Sequence, residues 1–250
     1  AALDEPDRVN AILIAGHAAD QPAGVDAEEK LTEWLQPTLA DYGATLEPTP
    51  QGYFNLTSER MMLEPALVEA VEAAVPAERL QPSFTYLAND ITCGDFSIPY
   101  STIAAIDPRV DSPLGPFVTS DGEPLGQIGA DEIVLNRWAA DDLEAKPGDE
   151  ISLTYFEPES THGEVVERTE KLRLAAIVEL EGAARDPDFT PKLEGVTDVA
   201  SMGDWDPPFP FDAARIRSDD EKYWDDYRAT PKAFVSRATG KRLWGSRFGD

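Results

Sequence analysis

Hydrophobic positions recur at two different periods along this chain, and the changes of period mark its elements. Phe84 to Cys93 and Phe96 to Ile106 are runs rich in β-formers, separated by Gly94-Asp95, a two-residue connection whose geometry matches strand twist. They predict a hairpin. Between Asp131 and Phe156 the period switches twice. Ile133, Val134 and Leu135 form an apolar run of strand length, then Trp138, Ala139 and Leu143 recur at helical spacing. Lys146 closes that helix and Pro147-Gly148-Asp149 turns the chain. From there Ile151, Leu153 and Tyr155 alternate with Ser152 and Thr154, as the two faces of a strand do.

The same reasoning places weaker elements. Val9 to Ala15 predicts a strand, and Asp26 with Glu29 forms a capping box for a helix. That helix carries Leu31, Trp34, Leu35, Leu39 and Tyr42, is kinked at Pro37 and ends at Gly43. Tyr53 to Thr57 is a short strand, and Pro65 starts a helix whose stripe is Leu67, Val68, Val71 and Val75. Val165 to Leu180 predicts a long strand. Ser218 and Glu221 form a second capping box, opening a helix on which Tyr223, Trp224 and Tyr227 share a face. Ala233 to Ser236 is a strand, and Lys241 to Trp244 lies on a last helix. Two stretches lack periodicity. Residues 107–129, rich in Pro and Gly, read as a linker and subdomain boundary, and 181–210 as a long loop of the kind that often carries contacts. The fold class expected is α+β. A discontinuous α/β subdomain, 1–108 with 229–250, carries an inserted β-rich subdomain, 109–228.

Charge narrows the function classes. Asp+Glu number 48 against 21 Lys+Arg, a formal net charge of −27 in 250 residues. Such a surface repels phosphate backbones and anionic headgroups, which argues against nucleic acid and membrane surfaces as partners. Solubility or salt adaptation is the simpler account of the acidity; a cation-binding or basic-partner surface is the sharper one. Cys93 is the lone cysteine, and His17 and His162 are the two histidines, so neither an internal disulfide nor a zinc site is expected. The longest apolar run, Ala11 to Ala15, is far short of the roughly 20 residues that cross a bilayer. The chain opens Ala1-Ala2-Leu3-Asp4 without a basic leader, which suggests a soluble piece of something longer.

Several constellations bear on chemistry. Asp219, Asp220, Glu221, Asp225 and Asp226 surround one aromatic helix, and Asp204 with Asp206 flanks Trp205. Paired acids near aromatics are what a glycosidase needs. In so acidic a chain, solvated charge at a helix start is the plainer expectation. No EF-hand spacing favours calcium. Neither histidine adjoins a nucleophile motif, Cys93 sits at the hairpin tip, and Thr239-Gly240-Lys241 lacks the upstream glycine of a phosphate loop. No catalytic, cofactor or metal residue is therefore assigned. Trp205, Phe209 and Phe211, interleaved with prolines, are candidates for a partner-contact loop; the competing reading packs them onto their own domain.

The order of segments also resembles a family. The phrase IVLNRWAADDLEAKPGDEISL, followed by the strand KLRLAAIVEL, is similar to the extracytoplasmic domains of bacterial ABC-transporter permeases of the FtsX-like, MacB-like type. The likeness extends through Phe84 to Asp90, Ile98 to Pro108, WDPPFPFDAARIR, DEKYWDDYRATPKAFVS and GKRLWGSRFG, and so covers most of the chain. It implies a non-enzymatic, cofactor-free extracytoplasmic domain, periplasmic or at the cell surface. Its partners would be transmembrane helices of the same polypeptide and a separate ATP-binding subunit, with the external substrate unassigned. The alternative from another class is a secreted carbohydrate-active enzyme or binding module using the acids around Trp205 and Trp224.

Overall fold

A computed structural model describes residues 38–58, 63–112, 114–157, 166–207 and 209–245. The chain divides into Ala1–Tyr42 and Gly43–Asp250. Of the first unit, the described residues form one 3-10 turn, Leu39–Tyr42, closed by the Asp41 carboxylate accepting from the Thr38 amide at 2.6 Å. The expected strand at Val9 to Ala15, the capping box at Asp26 and the Pro37 kink lie outside the described residues.

The second unit is built on a closed six-stranded barrel, with neighbours in the order β3-β4-β8-β5-β7-β6. The hairpin β3 (Phe84–Cys93) and β4 (Phe96–Ala105) forms as its alternation predicts, with Gly94 supplying the positive φ of 57° that its turn requires. The unit β5 (Glu132–Asn136), α2 (Arg137–Asp142) and β6 (Glu150–Phe156) follows, and β7 (Glu167–Val178) pairs with both strands of that unit. The short β8 (Ala233–Val235) runs parallel to β4 and antiparallel to β5, and β6 closes the ring on β3 through Ile91↔Leu153. Helix α1 (Pro65–Ala74) starts on Pro65, as its sequence predicts. The hairpin β1 (Ala44–Pro48) and β2 (Phe54–Ser58) stands apart as a separate sheet; β1 lacked a periodic signal.

Alternate residues of the strands fill the barrel: Ile103, Ile133, Leu135, Ile151, Leu153, Leu172, Leu174, Ala233 and Val235 are fully or almost fully buried there. Helix α4 (Arg237–Trp244) adds Trp244, stacked on Tyr86 at 5.2 Å and edge-on to Phe84 and Tyr155. Only glycine permits that approach at Gly240, where a Cβ would lie 2.2 Å from the Ala105 side chain.

The opposite residues of four neighbouring strands, Ala104, Phe234, Val134 and Val178, are buried too. They are covered by Phe117, Leu125 and Ile128 together with Ala183, Ala184 and Phe189. Residues 107–129 are thus a cover rather than a linker. Their backbone joins β7 through Ser120 N–H to the Ile177 carbonyl at 2.9 Å. Strands buried on both faces require such a lid, because parallel pairs leave no face for water. The barrel takes β3 and β4 from before residue 108, β5 to β7 from 109–228, and β8 from after 229. Residues 181–215 gain order from four 3-10 turns, Gly182–Arg185, Pro187–Phe189, Met202–Asp204 and Ala213–Arg215, too short to leave a periodic trace.

Candidate functional site

Two polar clusters form where residues 181–232 lie on the barrel. The first surrounds Lys232, the residue before β8. Its backbone extends the sheet by one position, donating to the Thr102 carbonyl at 2.9 Å and accepting from Asn136 at 2.9 Å. This fixes its side chain between the rings of Trp138 and Tyr223, with Nζ 4.7 and 4.8 Å from their centroids. Asp220 lies 3.7 Å from Nζ, and the two side chains are 0% and 4% exposed. Burial pushes the Lys232 pKa down to about 8, against the opposing pull of Asp220.

Helix α3 (Ser218–Tyr227) brings Asp220 to this place. The cap is one residue earlier than Ser218: the Asp220 carboxylate accepts from the Arg217 amide at 3.0 Å and from its guanidinium at 2.8 and 2.7 Å. Arg217 also donates to Asp142 of α2 at 2.8 Å. Asn136 caps α2 through Ala139 N–H at 2.8 Å and donates to the Tyr223 hydroxyl at 2.9 Å and the Pro231 carbonyl at 3.0 Å. Tyr223 donates in turn to the Thr230 carbonyl, and burial raises its pKa. The acids expected as solvated charge therefore divide: Asp219 is exposed, Asp220 is sealed, and Glu221 accepts from Ser201, Met202 and Gly203 at 2.8 to 3.1 Å. What this cluster does is clamp α3, α2 and β8 together.

The second cluster lies at a kink in the β3–β4 hairpin. Ala88 and Ile91, three residues apart, both join the central core, as do Ile98 and Ile103, five apart. Strict alternation would send each pair to opposite faces. The phase slips at Asn89–Asp90 and at Tyr100, where the ladder pairs Ala88↔Ser101 and Asp90↔Pro99 but leaves Asn89 and Tyr100 out. Tyr100 holds φ at +42°, a conformation non-glycine residues rarely adopt. Its hydroxyl accepts from Asp212 N–H at 2.8 Å, and its ring lies under the Arg215 guanidinium at 5.1 Å. Arg215 reaches on to Asp90 at 2.7 Å. Burial outweighs that pairing and raises the Asp90 carboxyl above the usual range.

Beside the kink is a cleft of about 330 Å³ lined by Asn89, Tyr100, Phe156, Glu167, Phe211 and Arg215, with Pro210 and Asp212 completing its wall. Asn89 is 2% exposed. Its amide nitrogen donates to Glu167 at 2.7 Å, while its carbonyl oxygen has no partner. The Oδ1 of neighbouring Asp90 is also without one.

The aromatic loop sits against this region. Trp205 is 7% exposed and packs edge-on to Trp224 at 5.1 Å. Phe211 is half-buried against Tyr100 at 4.8 Å, and Phe209, also half-buried, approaches Phe156 at 6.4 Å. Of the three, Phe211 lines the cleft. Cys93 is half-buried at the end of β3, its thiol pushed up by burial and then by Asp149. His17 and His162 lie outside the described residues. Among the described residues no three His, Cys, Asp or Glu gather as a metal site would require, and no helix is long and apolar enough to cross a membrane. Sequence reasoning missed Asn89, Tyr100 and Lys232. One signal was available: Pro99 inside an otherwise regular strand marks an interrupted ladder.

No family matches the chain by sequence, and no curated protein does. Among solved structures, the periplasmic region of MacB from Actinobacillus actinomycetemcomitans aligns over 70% of this chain and 56% of its own, at 10% identity and a TM-score of 0.35. This chain thus spans little more than half of that structure, and at such a score the likeness carries no argument.

Proposed function

We propose that this chain is a non-catalytic extracytoplasmic domain of an ABC-transporter permease of the FtsX-like, MacB-like type. In that role it is a rigid element carried beside membrane helices, coupling motion driven by a separate ATP-binding subunit to an external substrate or partner. The observation that supports this reading is the placement of the resembling segments. Phe84 to Asp90, Ile98 to Pro108, Asp131 to Phe156, Lys171 to Leu180 and Ala233 to Ser236 all contribute to one barrel, in the order the resemblance requires. A closed barrel has no free edge and resists shear, which suits a lever. The carbohydrate-active alternative needs exposed ring faces; Trp205 and Trp224 are 7% and 3% exposed and spend those faces on each other and on Phe211.

The test is topological. In the full-length polypeptide, Cys93→Ser removes the thiol of this domain and serves as the labelling background, and Asp121→Cys places a new thiol on an exposed turn. A membrane-impermeant maleimide is expected to label Asp121→Cys in intact cells. Labelling only after lysis would overturn the proposal, as would flanking sequence without apolar spans of about 20 residues.

A further inference from the structure

The cleft beside the β3–β4 kink has a hydrogen-bonding balance that specifies its occupant. Two buried acceptors on or beside it have no donor. Asn89 Oδ1 is buried and unpartnered, as is Asp90 Oδ1 next along the strand. The donors nearest these acceptors point elsewhere: Asn89 Nδ2 to Glu167, one Arg215 N–H to Asp90, and the Asp212 amide to Tyr100. A buried acceptor without a donor is costly, so a ligand that brings donors gains what the free protein lacks. On the cleft Glu167 and Asp212 face Arg215, and beside it Asp90 feels Arg217 as well, which still leaves an excess of negative charge in a chain already at −27. Phe156 and Phe211 supply aromatic walls, and ring faces attract organic cations. The strained φ of Tyr100 belongs to the same spot. Backbone strain held by surrounding contacts is characteristic of sites that bind.

From these observations we infer that the cleft binds a primary ammonium on a short apolar stem, the ammonium directed to Asn89 Oδ1 and Glu167 and the stem lying against Phe156 and Phe211. This inference does not depend on the transporter reading. The same chemistry is offered by a free arylalkylamine and by a lysine side chain of a partner protein.

The test uses the whole chain and nuclear magnetic resonance, following the Asn89 side-chain amide and the backbone amides of Tyr100 and Phe156. Probes are phenethylammonium, its uncharged analogue 3-phenylpropanol, and acetyl-Gly-Lys-Gly-amide. Titrations run at about 1 M salt, where a Debye length near 3 Å suppresses unspecific attraction to an acidic surface. Phenethylammonium or the lysine peptide is expected to give a saturable shift confined to this cleft, and the stronger of the two identifies the source. Glu167→Gln and Asn89→Leu are each expected to weaken it about tenfold, as loss of a charge-assisted hydrogen bond does. Glu69→Gln, on exposed α1, is expected to leave it unchanged. Circular dichroism of each variant separates lost binding from lost folding. No saturable shift with either cation, equal binding of the alcohol, or unaltered binding to folded Glu167→Gln overturns the inference, whatever the labelling experiment gives.

Discussion

Asn136 and Asn89 are buried to the same degree, at 0% and 2% exposure, on two non-neighbouring strands of one barrel, yet only the first has all its polar atoms engaged. Asn136 caps α2, supports the Tyr223 hydroxyl and holds the Pro231 carbonyl. Asn89 makes one bond, to Glu167, and leaves its carbonyl idle at the wall of a cleft. The same contrast holds between the clusters. Around Lys232 the carboxylate of Asp220 is filled by Arg217, and the aromatic faces enclose the ammonium. Around Tyr100 the rings of Phe156 and Phe211 border a cleft and the backbone is strained. A polar cluster enclosed by ion pairs and rings locks one arrangement, whereas one that borders a cleft keeps interaction capacity for something outside the chain.

The comparison breaks most directly at Asp220. Asp220→Ala leaves Lys232 without its buried counter-charge and Arg217 with Asp142 alone, and is expected to cost about 3–5 kcal/mol in urea unfolding. Lys232→Met keeps the sandwich between Trp138 and Tyr223 and removes an ammonium without a hydrogen-bond partner, so it should be neutral or stabilising. If Asp220→Ala proves harmless, the network is not a clamp. Next is the asparagine pair. Asn136→Leu loses a helix cap and the donor to the Pro231 carbonyl, at about 3 kcal/mol. Asn89→Leu removes an unsatisfied carbonyl along with one hydrogen bond, and is expected to stay within about 1 kcal/mol by the same measure.

A pH series sharpens the picture by a smaller amount. The folded pKa of Lys232 is lowered to about 8 from the ordinary 10.5. Between those values the unfolded chain holds a proton that the folded chain has released, so stability rises with pH, by at most about 1.4 kcal/mol per unit. Above pH 10 the trend reverses. Burial raises Tyr223, and raises Tyr86 to about 12, so that unfolded tyrosines ionise first. The gain between pH 8 and 10 should therefore vanish in Lys232→Met. A gain that persists in that variant assigns it to another group.

How much of this was legible follows from the range of each interaction. The β3–β4 hairpin, the β5-α2-β6 unit, α1, α3 and α4 each announce themselves within a dozen residues, because alternation, helical spacing, proline and glycine act locally. The aromatic loop was legible as a feature, but its direction was not. Trp205 is buried because Trp224, far along the chain, offers an edge. Asp219 and Asp220 look alike in sequence, and one turn of helix against α2 sends the first to water and the second into the core.

The sequence by itself determined the local elements, the acidic surface and the segment order that underlies the permease reading, since all three depend on neighbours or on simple sums. Tertiary structure alone decided that β8 enters between β4 and β5, that 107–129 is a cover, and that Lys232 is enclosed. It also set the strand phase slip that turns Asn89 and Tyr100 toward a cleft. Each of these depends on which distant backbone supplies the partner strand or ring, and hydrophobic period carries no record of that choice.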